Sequence, residues 1–189
     1  MTKKEFLLNY LLNHRTDSLH QYCHACSVKQ AAVLIPLIDD GKQLHILFTK
    51  RALHLRHHAG QISFPGGKVE HNDKNLIDTA TRETFEEIGV SPKLVEIIGS
   101  LHSYHVSSGF VVKTYIAFIP PNLTYIKDSN EVSEIFQVPL HFFLDSLNHI
   151  SINVLRENRT QQVHYMPYKH YKIWGATALM IKDLVSHLS

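Results

Sequence analysis

The chain has 189 residues, 44% of them hydrophobic, and a net charge of +2 with its fifteen histidines neutral. That gives room for one substantial core and no second full domain, and a charge too small to argue for nucleic-acid or membrane binding. No run reaches the roughly 18 apolar residues of a membrane span and no signal-peptide pattern opens the chain, so a soluble cytoplasmic protein is the expectation.

Phe6, Leu7, Tyr10 and Leu11 repeat at helical spacing behind Lys3 and Lys4, which predicts an amphipathic helix within Met1 to Arg15 that docks on the domain. Cys23 and Cys26, the only cysteines, form a CxxC beside His20 and His24. With no second pair downstream, two reduced thiols in a connecting segment are expected rather than a zinc or redox site. Ala31 to Ile38 reads as a buried strand closed by Asp39-Asp40-Gly41, with Leu44 to Lys50 as its hairpin partner. A basic loop, Arg51 to Gly60, then leads to a short strand at Gln61 to Phe64 and a turn at Pro65-Gly66-Gly67.

The stretch that follows carries the chemistry. At about 100° per residue, Leu76, Ile77, Ala80, Thr84 and Ile88 share one arc of a helix that can face a core, and Glu83 and Glu87 project together beside it at i, i+4 spacing. Glu86 sits on the next edge. Each like-charged pair costs a helix about 0.2–0.5 kcal/mol, so the crowded acids need solvent, a cation or a function. A solvated acidic face is one reading. The other is Mg²⁺ or Mn²⁺, hard cations that take a few carboxylates together with phosphate oxygens and water.

Gly89 and Pro92 end the helix. Strands are expected at Leu94 to Val106 and Phe110 to Ile119, joined by a Ser107-Ser108-Gly109 turn, with His102, Tyr104 and His105 toward the end of the first. A polar segment leads to Glu131, which opens a run ending at Val138-Pro139-Leu140; a short helix at His141 to Leu147 and a hairpin of Ile152 to Arg156 with Gln162 to Met166 follow. Tyr171 to Trp174 continues as strand, and Gly175 to Leu188 as an apolar helix. Hairpins, one crossover helix and a terminal helix predict an α/β protein with a mixed sheet between helical layers.

The run from Gly66-Gly67 through a loop acid to Arg82-Glu83-x-x-Glu86-Glu87-x-Gly89-Val90 resembles the signature of the Nudix hydrolases. Eight residues separate Asp73 from Arg82, one more than in that pattern, which leaves Asp73 and Glu70 as equal candidates for the loop acid. Upstream, Leu47, Thr49, Arg51, Ala52, Arg56, Gly60 and Phe64-Pro65-Gly66-Gly67 are similar to the extension that marks the coenzyme A pyrophosphatase branch, and Trp174 to Ala178 resembles its close.

The resemblance implies an α/β/α Nudix sandwich over residues 31–189 behind a helical extension at 1–30. It implies metal-dependent hydrolysis of the diphosphate of coenzyme A or a derivative, giving adenosine 3′,5′-bisphosphate and 4′-phosphopantetheine. Glu83, Glu86, Glu87 and the Gly66 carbonyl would bind Mg²⁺ or Mn²⁺, Arg82 would orient the acids by pairing with Glu86, and Glu131 or a helical Glu would take the proton from water, with Glu134 able to substitute. Arg51 and Arg56 would grip the nucleotide's additional phosphate. Another nucleoside diphosphate derivative such as ADP-ribose, or a non-catalytic nucleotide-binding role, stays open, as does the choice between monomer and homodimer.

Overall fold

The structure is a computed structural model that describes residues 1–13, 29–156 and 159–188. Cys23, Cys26, His20 and His24 lie outside those residues. Ten strands and four α-helices are described: α1 (Lys3–Leu12), β1 (Lys29–Asp39), β2 (Leu44–Arg51), β3 (Ile62–Ser63), β4 (Gly66–Lys68), α2 (Leu76–Ile88), β5 (Glu96–His105), β6 (Phe110–Ile119), β7 (Val132–Pro139), α3 (Leu140–Leu144), β8 (Ile150–Arg156), β9 (Arg159–Tyr168), β10 (Tyr171–Trp174) and α4 (Gly175–Ser186). This is the α/β arrangement that the alternating pattern predicts, a mixed sheet with helices packed on it.

β1 is the hub, its alternate residues buried on both faces. Along one edge it runs parallel to β6 from Lys29↔Phe110 to Ile38↔Ile119. Its other edge is shared: Leu37, Ile38 and Asp39 pair with β2, whereas Ala31, Ala32 and Val33 pair with β4. β2 continues the sheet outward to β7 and holds β3 against its far end. The order β3-β2-β1-β6-β5, with β4 on β1 and β7 on β2, makes seven strands, and β10-β9-β8 form a separate three-stranded sheet.

The two faces of the large sheet bury different partners. Ala32, Leu34 and Ala117 face α2 through Ala80. Ile35, Leu37, Phe48, Ile116 and Phe118 point the other way into the larger core, which Phe143, Met166, Ile173, Ile181 and Leu184 complete. Helix α1 joins that core through Phe6 and Tyr10, both fully buried. Gly99 makes the docking possible, since a β-carbon there would collide with the Tyr10 ring, whose hydroxyl donates to the Ser100 carbonyl at 3.1 Å.

Several boundaries differ from expectation. Pro65-Gly66-Gly67 is not only a turn, because Gly66–Lys68 forms β4, which the lack of side chains hides from pattern reading. Leu11 and Ile77, expected in buried arcs, remain 65% and 37% exposed because each overhangs the sheet near an end of its helix. Among the described residues no helix is long and apolar enough to cross a membrane.

Candidate functional site

The site assembles where α2 lies across β4. Asn75 caps the helix by accepting from the Ile77 and Asp78 amides, and Gly89 closes it. At the far end, the Ile126 and Asp128 amides donate to the Ile88 and Glu87 carbonyls, so the loop ahead of β7 covers the C-terminus of α2. That capping delivers Glu131. β7 sets Val132 opposite Arg51 at the end of β2, and the Ala52 amide donates to the Glu131 carbonyl at 2.8 Å. Two segments far apart in sequence thus bring a cation and an acid to the helix.

Glu83 packs on Gly67: a β-carbon at that glycine would occupy the space of the Glu83 carboxylate. Gly66, with φ of 149°, lies equally close to the β1 backbone, where any side chain would strike Ala32 and Val33. Glycine at both positions lets the strand slip between β1 and the acids.

The carboxylates differ in state. Glu87 is 3% exposed, and its Oε2 has no hydrogen-bond partner. Burial pushes its pKa up to about 8, with the Glu83 and Glu131 charges adding to the rise and the Arg51 guanidinium and Gly66 amide opposing it. Burial likewise raises Glu83, against the pull of Arg82. Arg51 itself carries a buried Nε without a hydrogen-bond partner. Unsatisfied buried groups of opposite sign, kept close but unpaired, are costly for a fold and are the usual mark of a place where something else binds.

Arg82 is held differently. Its Nε donates to Asp73 Oδ1 at 2.9 Å and its Nη2 to Asp73 Oδ2 and the Lys68 carbonyl, both at 3.0 Å. Nη1 reaches Glu86 at 2.8 Å and lies 3.2 Å from Glu83. The guanidinium, together with the Glu70 amide and Thr79 hydroxyl, holds the Asp73 carboxyl far below the usual carboxylate range. Between the two loop acids, the geometry picks Asp73 as the partner of Arg82, while Glu70 contributes its amide at 2.8 Å to Asp73. The extra residue in the loop is absorbed without losing that clamp. Spacing alone had not singled out the clamp.

Of the expected residues, Glu83, Glu87, Glu131, Arg51 and Gly66 come together. Glu86 is turned outward onto Arg82, its side chain 53% exposed. Arg56 lies exposed in the loop with no hydrogen bond or ion pair to a described residue. Glu134 is engaged elsewhere, accepting from the Tyr171 hydroxyl and lying 3.9 Å from Lys50. His102 and Tyr104 both approach Asp183 of α4, away from the acids.

Among the described residues no three His, Cys, Asp or Glu side chains alone form a group that could hold a metal ion. The donor set still suits a divalent cation. Mg²⁺ keeps several waters and takes one or two carboxylates together with substrate phosphates rather than a closed protein cage, and Glu87 offers an unpartnered buried oxygen beside Glu83.

A mixed sheet flanked by helices carries two acids of one helix over a glycine strand. Residues 28–176 match the family model described as the NUDIX domain, and the chain belongs to the Nudix hydrolase family, whose members generally use divalent metal ions. It is 38% identical over 185 residues to the protein named "Uncharacterized Nudix hydrolase NudL" of Salmonella newport (strain SL254), covering 97% of this chain and 96% of that one. The protein of the same name from Yersinia pestis (strain Pestoides F) is 36% identical over 170 residues, 90% of this chain and 85% of its own. Among solved structures, a MutT/nudix family protein from Enterococcus faecalis superposes with a TM-score of 0.56 at 18% identity over 99% of this chain and 73% of that one. The MutT protein of Methanosarcina mazei Go1 does so with 0.52 at 18% identity over 85% and 91%. Both show the shared fold.

Proposed function

We propose that this protein hydrolyses the diphosphate of coenzyme A or its derivatives, releasing adenosine 3′,5′-bisphosphate and 4′-phosphopantetheine or its acyl form. The observation that carries the proposal is the neighbouring helix acids, half-buried Glu83 against Gly67 and buried Glu87 with an oxygen left unpartnered, close to Arg51, whose Nε is buried without a partner. The choice of coenzyme A rests on the Leu47 to Gly67 extension.

Glu83 and Glu87 would hold Mg²⁺ or Mn²⁺, with Glu86 joining them on release from Arg82 and the Gly66 carbonyl as a further oxygen. When bound, the dication offsets charge on the diphosphate and lowers the pKa of water. The protein's own groups do the rest. Asp73 fixes Arg82, and Arg82 keeps Glu83 and Glu86 in position by ion pairing. Arg51 holds phosphate oxygens from inside the site and Arg56 from the exposed loop. Glu131, next to the acid pair, accepts a proton from the attacking water as the water oxygen bonds to one phosphorus and the bridging phosphorus–oxygen bond of the anhydride breaks, the other phosphate leaving with the bridging oxygen.

The test is incubation of the purified protein with coenzyme A and Mg²⁺ or Mn²⁺ in ¹⁸O water, followed by identification of the products and of the phosphate that carries the label. Cleavage to the two named products is expected. Preference for ADP-ribose or 3′-dephospho-coenzyme A over coenzyme A would overturn the substrate assignment, and intact nucleotides throughout would overturn the activity.

A further inference from the structure

At one end of the large sheet, the β1–β6 register sets Lys29 beside Phe110, and the β1–β4 register brings Lys68 alongside Ala31. The three side chains border a cavity of about 420 Å³ whose remaining walls are Gln30 and Val69. The Lys29 ammonium lies 5.8 Å and the Lys68 ammonium 5.7 Å from the centroid of the Phe110 ring. Neither ammonium has an ion pair or hydrogen bond with a described residue. Two like charges converging on one phenyl ring are attracted by its face but not neutralised by it, and a volume of this size is that of a ligand site.

Lys68 follows Gly67 directly, and Gly67 carries the Glu83 carboxylate against its α-carbon. Alternate strand residues point to opposite faces, so the Lys68 side chain leaves β4 on the face away from α2. Along the edge of β4 away from β1 the Lys68 carbonyl accepts from Arg82 at 3.0 Å, so the rim of the cavity adjoins the acid cluster through a single residue. Arg51, beside Glu87, is placed for the oxygens of the diphosphate itself, so the nucleotide's additional phosphate calls for other cations. We infer that the Lys29–Lys68–Phe110 cavity seats the phosphorylated nucleoside end of the substrate. The two ammonium groups hold the phosphate that lies outside the diphosphate, and the Phe110 ring offers its face to the sugar and base. This assignment rests on the coenzyme A reading for its ligand, but not for the binding it predicts.

The experiment uses the full chain without divalent metal, titrated calorimetrically with adenosine 3′,5′-bisphosphate and with AMP. Lys29 and Lys68 are both exposed, so K29Q/K68Q is expected to fold. It should weaken bisphosphate binding about tenfold or more while changing AMP binding less than about twofold, and F110L should weaken both ligands. With metal present, K29Q/K68Q should raise the KM for coenzyme A about tenfold with kcat little changed, and leave 3′-dephospho-coenzyme A unaffected. Bisphosphate affinity equal in wild type and K29Q/K68Q, or no bisphosphate binding by wild type, would overturn the subsite. Loss of bisphosphate binding in K29Q/K68Q by a protein that hydrolyses no nucleotide would uphold the subsite and overturn the proposed activity instead.

Discussion

Asp73, in the loop before α2, and Glu87, near its C-terminal end, both turn carboxylates away from solvent. Asp73 receives two hydrogen bonds from Arg82, one from the Thr79 hydroxyl and one from the Glu70 amide, and its charge is stabilised far beyond that of a free carboxylate. Glu87 keeps an oxygen with no partner at all, and its charge is disfavoured. Glu87 is the more deeply enclosed of the two, and it is the one the fold leaves with an unpartnered oxygen. The difference is whether the fold supplies the countercharge or leaves it to be supplied. Under the proposed function, Asp73 belongs to the framework and Glu87 to the working surface.

The most demanding test is on the working surface. Glu83→Gln or Glu87→Gln should lower metal-dependent turnover by about a thousandfold while leaving the melting temperature equal or higher, since a neutral amide ends the repulsion. Undiminished hydrolysis in steady-state assays would break the division. On the framework side, Arg82→Ala strands a buried Asp73 and should cost roughly 3 kcal/mol of stability, read by denaturant unfolding; a variant as stable as wild type would show that the clamp is not structural.

pH separates the two acids next. Glu87 rises from 4.5 to about 8 on folding, so its neutral form is favoured in the native state. Its contribution to stability is complete below pH 4.5 and is lost as pH climbs toward 8. The metal-free protein should therefore lose up to about 1.4 kcal/mol per pH unit within that window, and Glu87→Gln should remove that slope. Added Mg²⁺ should offset the loss, because a cation binds the deprotonated acid. Asp73 behaves in the opposite sense, its stabilisation vanishing only in strong acid. The smallest effect is expected from Gly67→Ala, whose methyl group displaces the Glu83 carboxylate and should weaken metal binding by about tenfold, measurable by Mn²⁺ titration.

Much of this was legible from residue order. The strands from Ala31 to Phe64, the α2 boundaries and the Ser107-Ser108-Gly109 hairpin follow from alternation, helical period and turn residues, and the structure repeats them within a few positions. Glu87, expected beside the apolar arc, falls instead between Leu76 and Ala80 on the helical wheel at about 100° per residue, inside that arc, which is why it is buried. What stayed hidden depends on contacts between distant segments. The Asp73–Arg82 clamp needs the loop to fold back over the helix, β4 has glycines where a pattern needs side chains, and the Lys29–Lys68–Phe110 cavity draws on three separate strands. Arg51, expected at an outer phosphate, lies beside Glu87 because the β2–β7 pairing carries it there.

The parallel pairing of β1 with β6 also governs how the molecule must be built. Residue 29 meets residue 110 only after on the order of eighty residues have been looped between them, and the intervening chain contains every acid of α2. Such distant pairings are slow to form. If that pairing forms late, the carboxylates should keep their water through most of refolding. A dication present from the outset should leave the refolding rate unchanged and slow unfolding alone.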